Sequence, residues 1–177
     1  PARGKNTLPS FEPKDATILT KQNSAESFLT IVTPLYTATL TNKSGGSFTN
    51  YLLSSENSDE LKHLGGYNDG GLFNPNIPVS LIINSEEDCM PCLAEYNDMD
   101  DMYTFINQPF TLLNYSNKQD TIFLDSGTIE LKYSLNNNDG VVLINKIISF
   151  SADKYINEHY YEINDEVFEY SNNLELL

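Results

Sequence analysis

Cys89-Met90-Pro91-Cys92 is the local pattern with the most chemistry in it, because two thiols this close can shuttle electrons, share a metal or close a disulfide. A thioredoxin-type site needs its first cysteine at a helix N-terminus after a strand, where the helix dipole lowers the thiol pKa. Here Asn84 to Asp88 is polar and acidic, and Glu86, Glu87 and Asp88 would raise that pKa instead. Redox catalysis is not expected on these grounds. A zinc site would have to draw on His63 and His159, which are scattered along the chain, so no metal is expected either. What remains is a local disulfide between Cys89 and Cys92 pinning a loop in an oxidising compartment, with two inert thiols as the alternative. His159, between Glu158 and Tyr160, invites an acid/base reading. In a strand, however, His159 and Tyr161 share one face while Glu158, Tyr160 and Glu162 share the other, so histidine and carboxylate point apart. Asn136 to Gly140 lacks the downstream bidentate glutamate of a calcium loop and reads as a hairpin turn. No P-loop, nucleophile elbow or dinucleotide fingerprint is present, so no catalytic residue and no cofactor is expected, and the chain does not read as an enzyme.

Two hairpin signals about a hundred residues apart supply the framework. From Thr33 to Leu53, Tyr36, Ala38 and Leu40 alternate with Thr37, Thr39 and Thr41, and Lys43-Ser44-Gly45-Gly46 turns the chain into Phe48 and Leu52. From Thr128 to Ile163, Ile129, Leu131, Tyr133 and Leu135 fall on one face, Asn138-Asp139-Gly140 turns, and Val141 to Phe150 returns as a mostly apolar strand. Phe28 to Val32, Val79 to Ile83, Phe110 to Tyr115 and Thr121 to Asp125 are further strand candidates. Met99 to Ile106 fits a strand or a short helix. Pro1 to Ser27 reads as a linker or arm, and Ser54 to Pro78 as an irregular excursion with at most a helical turn near Leu61. No segment keeps a helical period over 12 residues. The expected architecture is an arm over residues 1–27 followed by an all-β domain over 28–177, a twisted antiparallel β-sandwich.

The segments TPLYTATLTNKSGGSFTNYLL (Thr33 to Leu53) and NKIISFSADKYINEHYYEIND (Asn145 to Asp165) resemble the large periplasmic domain of the YidC membrane protein insertases, most closely versions from outside the proteobacteria. In that family an early strand opens a Gly-Gly hairpin, and a later long strand leads through a Ser- or Asp-rich corner into a strand with two spaced tyrosines, matched here by Tyr155 and Tyr161. The resemblance runs over roughly residues 28 to 175 and is loosest between Glu56 and Asn117. It implies a supersandwich of the galactose-mutarotase-like kind, non-catalytic, at the periplasmic face of the bacterial inner membrane. The parent would be a multi-pass insertase working alone or with the Sec translocon on newly made membrane proteins. Sec subunits are then the implied docking partners, with an aromatic-lined contact cleft for which Tyr155, Tyr160 and Tyr161 are the candidates, ordinary sandwich packing being the alternative for these three. The alternative carried by the same implied fold is a carbohydrate-binding or mutarotase-like protein.

Charge and length agree with these expectations. The 177 residues carry 25 Asp and Glu against 10 Lys and Arg, a formal net charge of −15. Such a surface repels nucleic-acid phosphates, so no nucleic-acid partner is expected. Acidic residues gather at Glu86-Glu87-Asp88 and at Asp98, Asp100 and Asp101, which would place any acidic patch on the central loops. No apolar run reaches the roughly 18 to 20 residues of a membrane span. The chain reads as a piece of a longer protein, and a sandwich cut short of its second half would meet its exposed edges by dimerising, by domain swapping or by closing a smaller core.

Overall fold

The computed structural model describes residues 25–53, 63–68, 70–82, 90–97, 101–115, 120–168 and 174–176. They form an all-β sandwich. Its first sheet has the order β3-β2-β1-β9, built from β1 (Phe28–Val32), β2 (Tyr36–Thr41), β3 (Ser47–Leu53) and β9 (Thr121–Phe123). Its second has the order β12-β11-β10-β8, from β8 (Thr111–Leu112), β10 (Thr128–Asn136), β11 (Val142–Ser151) and β12 (Glu158–Ile163). Two smaller sheets flank these: β4 (Leu64–Tyr67) with β5 (Phe73–Pro78), and β13 (Leu174–Leu176) with β6 (Leu93–Asn97) and β7 (Met102–Phe105). A single helical turn, α1 (Asp165–Phe168), follows β12.

Alternation explains the core. Tyr36, Ala38 and Leu40 of β2 are fully buried, while Thr37 and Thr39 between them are half-buried. Leu131, Tyr133 and Leu135 of β10 face them from the second sheet, and Ile144, Ile148 and Phe150 of β11 extend the same layer. Phe48 meets the Tyr51 ring edge-on at 5.6 Å and the Phe150 ring at 6.1 Å, so one aromatic staples both sheets. At the start of β2, Thr33 shapes the tight turn by accepting from the Tyr36 amide through its Oγ1 at 3.0 Å.

Both hairpins form around their expected turns, with Tyr36 opposite Leu53 and Ile129 opposite Phe150. The first strand begins at Phe28, as its pattern predicts. Elsewhere the fold departs from the sequence reading. The excursion over Ser54 to Pro78 contains a β-hairpin, β4 and β5, and the helical turn expected near Leu61 falls outside the described residues. Of the strand expected over Val79 to Ile83, the described residues Val79 to Ile82 make only an isolated bridge, Ser80 to Leu52, with single backbone bonds at Leu53 and Leu81, and Ile83 lies outside the described residues. The Phe110 to Tyr115 strand shrinks to Thr111–Leu112, as Asn114 turns back to bond Glu130 and Lys132. Of the ambiguous Met99 to Ile106, the strand alternative forms at Met102–Phe105. β9 lies parallel to β1, with Ile31 opposite Ile122, whereas the other pairings are antiparallel.

Candidate functional site

The most constrained chemistry lies where the first hairpin turn meets the second sheet. Ser44, Gly45 and Gly46 run consecutively in the left-handed region, with φ of 52°, 70° and 90°. Two glycines make such a run affordable, since each lacks the Cβ that would clash. The turn is tied down by Ser44, whose amide donates to the Gln108 carbonyl and whose hydroxyl donates to the Ile106 carbonyl at 2.6 Å. A Cβ on Gly46 would sit 2.6 Å from Tyr133 Cε2 and 2.8 Å from Ile148 Cδ1. The absent side chain is what lets the turn lie flat on the second sheet.

Lys146 occupies the same junction. It shares parity with Ile144, Ile148 and Phe150, so β11 aims it into the core, and it is 0% exposed. Its Nζ donates to the carbonyls of Ser44 at 3.2 Å, Pro91 at 3.3 Å and Gly46 at 3.5 Å, and stands 5.3 Å from the centre of the Tyr161 ring. One ammonium thus spends its three protons on three carbonyls from two separate loops, over an aromatic face. Burial pushes the amine down to about 7. The carbonyls oppose that shift, because only the charged form offers all three donors. No carboxylate lies in ion-pair range of Lys146 among the described residues. With no exposed surface, this lysine cannot meet a substrate, and its role is to hold the turn, the Pro91 loop and the second sheet in register.

His159 and Tyr161 flank it on β12. Their alternation is the one the sequence predicts: both turn inward, while Glu158, Tyr160 and Glu162 are exposed. His159 stacks edge-on against Phe48 at 5.6 Å, and its buried Nδ1 has no hydrogen-bond partner among the described residues. Burial first and the neighbouring Lys146 charge second push its imidazole down to about 4. The ordinary value is 6.5, so between these two values the unfolded chain binds a proton that the native one refuses. Stability should therefore be intact above pH 6.5, fall as the pH drops from 6.5 to 4, and level off below. Allowing for partial solvent access, the loss is on the order of 2 kcal/mol. His159→Phe keeps the ring against Phe48 and removes the titration, so urea unfolding of this variant should show a flatter acid limb. An unchanged limb would mean that His159 protonates freely in the folded domain.

The three tyrosines proposed as a cleft do not converge. Tyr161 faces Lys146 from the inner side, and Tyr160 lies on the opposite, solvent-facing side of the same strand. Tyr155 sits after β11, where its carbonyl accepts from Tyr51 Oη at 3.0 Å and its hydroxyl lies 3.3 Å from His63 Nε2. It joins a separate cluster. Tyr36 and Tyr51 stack at 4.8 Å, and Tyr36 Oη donates to Ser151 O and Asn157 Oδ1, while Asn157 Nδ2 donates to Tyr51 Oη. Burial raises the pKa of both Tyr36 and Tyr51, which keeps them neutral donors. These groups bond one another and close the far end of the sandwich.

Cys92 is buried and disulfide-bonded, and Cys89, its expected partner, lies outside the described residues. The Glu86-Glu87-Asp88 cluster, Asp98 and Asp100 lie outside them too, while Asp101 accepts from Tyr96 Oη at 2.6 Å. Sequence reasoning missed Lys146, although a usable signal existed: in Ile144-Asn145-Lys146-Ile147-Ile148-Ser149-Phe150, the lysine has the parity of the buried positions.

Comparison with known protein families, curated proteins and solved structures finds no match to this chain.

Proposed function

We propose that this chain is part of the periplasmic domain of a YidC-like insertase, a non-catalytic β-sandwich beside the membrane-embedded bundle that inserts and folds membrane proteins. One observation carries the reading. The two segments that resemble the family, Thr33 to Leu53 and Asn145 to Asp165, are not merely two hairpins in one chain. They dock on each other through Gly46 on Ile148 and Lys146 on Ser44 and Gly46, so the resembling residues form a single structural unit. A supersandwich arrangement, Sec translocon subunits and nascent membrane proteins as partners, and a place at the periplasmic face of the inner membrane all follow from that reading.

The test is to raise an antibody against residues 28–163 and follow its antigen in fractionated source cells. The reading expects a membrane-fraction protein much larger than 19.9 kDa, whose depletion blocks insertion of multi-pass proteins. A 19.9 kDa antigen in the soluble fraction would sink it. The carbohydrate-binding alternative draws on sandwich shape alone, which does not assign function. Saturable heat on titration with a simple sugar would favour it.

A further inference from the structure

The hairpin of β4 and β5 differs from the rest of the molecule in three ways. Among the described residues its strands pair only with each other, and it is fixed at its base through Val79 to His63, Leu53 to Val79 and Leu81 to Tyr51 backbone bonds. None of its side chains belongs to the core cluster. Toward its tip, Tyr67, Leu72 and Phe73 are 65%, 69% and 61% exposed, with the two rings in edge contact at 5.8 Å. A two-stranded ribbon outside the core cluster is marginal alone, and beyond the contact between the two rings the apolar side chains at its tip bury little surface among the described residues. Its charge is also anomalous. In a chain of net charge −15, the stretch from Leu64 to Leu81 holds a single charged residue, Asp69.

We infer that the β4–β5 tip docks into the headgroup region of a lipid bilayer, with Tyr67, Leu72 and Phe73 as the inserted side chains. Aromatic and leucine side chains around a turn whose single charge is Asp69 suit that layer, where an amphipathic ring keeps its polar end wet and a carboxylate stays at headgroup level. The acidity selects the lipid: a hairpin with one charge, Asp69, can approach zwitterionic headgroups, while anionic ones repel both that carboxylate and the rest of a chain of net charge −15. Strand addition by a second copy or a peptide fits less well. Pro75 and Pro78 remove two backbone donors from β5, and β4 offers four residues, of which Gly65 and Gly66 carry no side chain to grip a neighbour. The inference stands on the hairpin alone and does not need the insertase reading.

The chain contains no tryptophan, so an introduced indole reports without background. Phe73→Trp is mixed with vesicles of pure phosphatidylcholine, and then of brominated phosphatidylcholine. Its emission should shift to the blue and be quenched by the brominated lipid. Phe123→Trp, at an exposed site on β9 in the first sheet, should do neither. Tyr67→Ser combined with Leu72→Ser should lower the bound fraction about tenfold in vesicle sedimentation, with circular dichroism confirming that the sandwich is intact. Silence from Phe73→Trp overturns the inference, as does an equal response at position 123. A shift that grows with protein concentration in the absence of lipid would assign the tip to a second copy, and one produced by an apolar peptide but not by vesicles would assign it to a protein partner; either result overturns the bilayer.

Discussion

Gly46→Ala is expected to destabilise the domain by ~3 kcal/mol in chemical unfolding, combining left-handed backbone strain with overpacking against the second sheet. The added methyl would stand 2.6 Å from Tyr133 and 2.8 Å from Ile148, and both neighbours are pinned in the core. Neither contact is the free end of a surface side chain, so relief requires the two sheets to separate. Gly140→Ala is the proper comparison. Its φ of 81° carries similar strain, yet nothing lies within 4 Å of its Cβ position, so only about 1 kcal/mol should be lost there. If the two variants unfold at the same denaturant concentration, the close docking of the Ser44 to Gly46 turn on the second sheet is wrong.

Lys146 gives the second large effect. Lys146→Ala removes a buried four-carbon stem and strands the carbonyls of Ser44, Gly46 and Pro91, for an expected loss of ~4 kcal/mol. Lys146→Met refills most of the volume without the donors, and should lose ~2 kcal/mol from the unpaired carbonyls. The methionine variant is the sharper measurement, because buried charges can often be replaced by apolar groups at no cost. A Lys146→Met protein as stable as the parent would show that the three carbonyl bonds only offset the desolvation of the ammonium. Lys146→Met should also lift part of the depression on His159, since the lysine charge is the second cause of it. Histidine titration followed by NMR reads that shift independently of stability.

Much of the sandwich was legible because its longest strands obey a strict period of two. Tyr36-Ala38-Leu40 and Leu131-Tyr133-Leu135 announce an inner face, and Gly45-Gly46 and Asn138-Asp139-Gly140 announce the turns. The β4–β5 hairpin was not legible, since Gly65, Gly66, Pro75 and Pro78 are the residues that ordinarily mark loops. Short strands such as Thr121–Phe123 hold too few residues to establish a period, and their pairing is set by the neighbour they meet. α1 carried a readable cap, as Asn164 accepts from the Glu166 amide, but four residues sustain no helical pattern. At the junction, a lysine is read as a surface residue by habit of composition, and only its parity within β11 gave it away. The cleft that the family resemblance implies gathers Tyr160 and Tyr161 on one side, while the same alternation that faces His159 inward sends them to opposite sides.

The parallel pairing of β1 with β9 also governs when the domain can fold. The β2–β3 hairpin needs only neighbouring residues and can form on a microsecond scale. Ile31, however, must wait for Ile122, and the lysine that caps the Ser44 carbonyl lies 102 residues downstream of it. During synthesis the first hairpin is therefore complete while the surfaces that will cover it have not been made. Loop closure of that span comes before any reward from burial, so the rate should be set by topology. For all of that interval the inner face of β2 stays uncovered, which makes the growing chain a substrate for holding factors long before it is a folded domain.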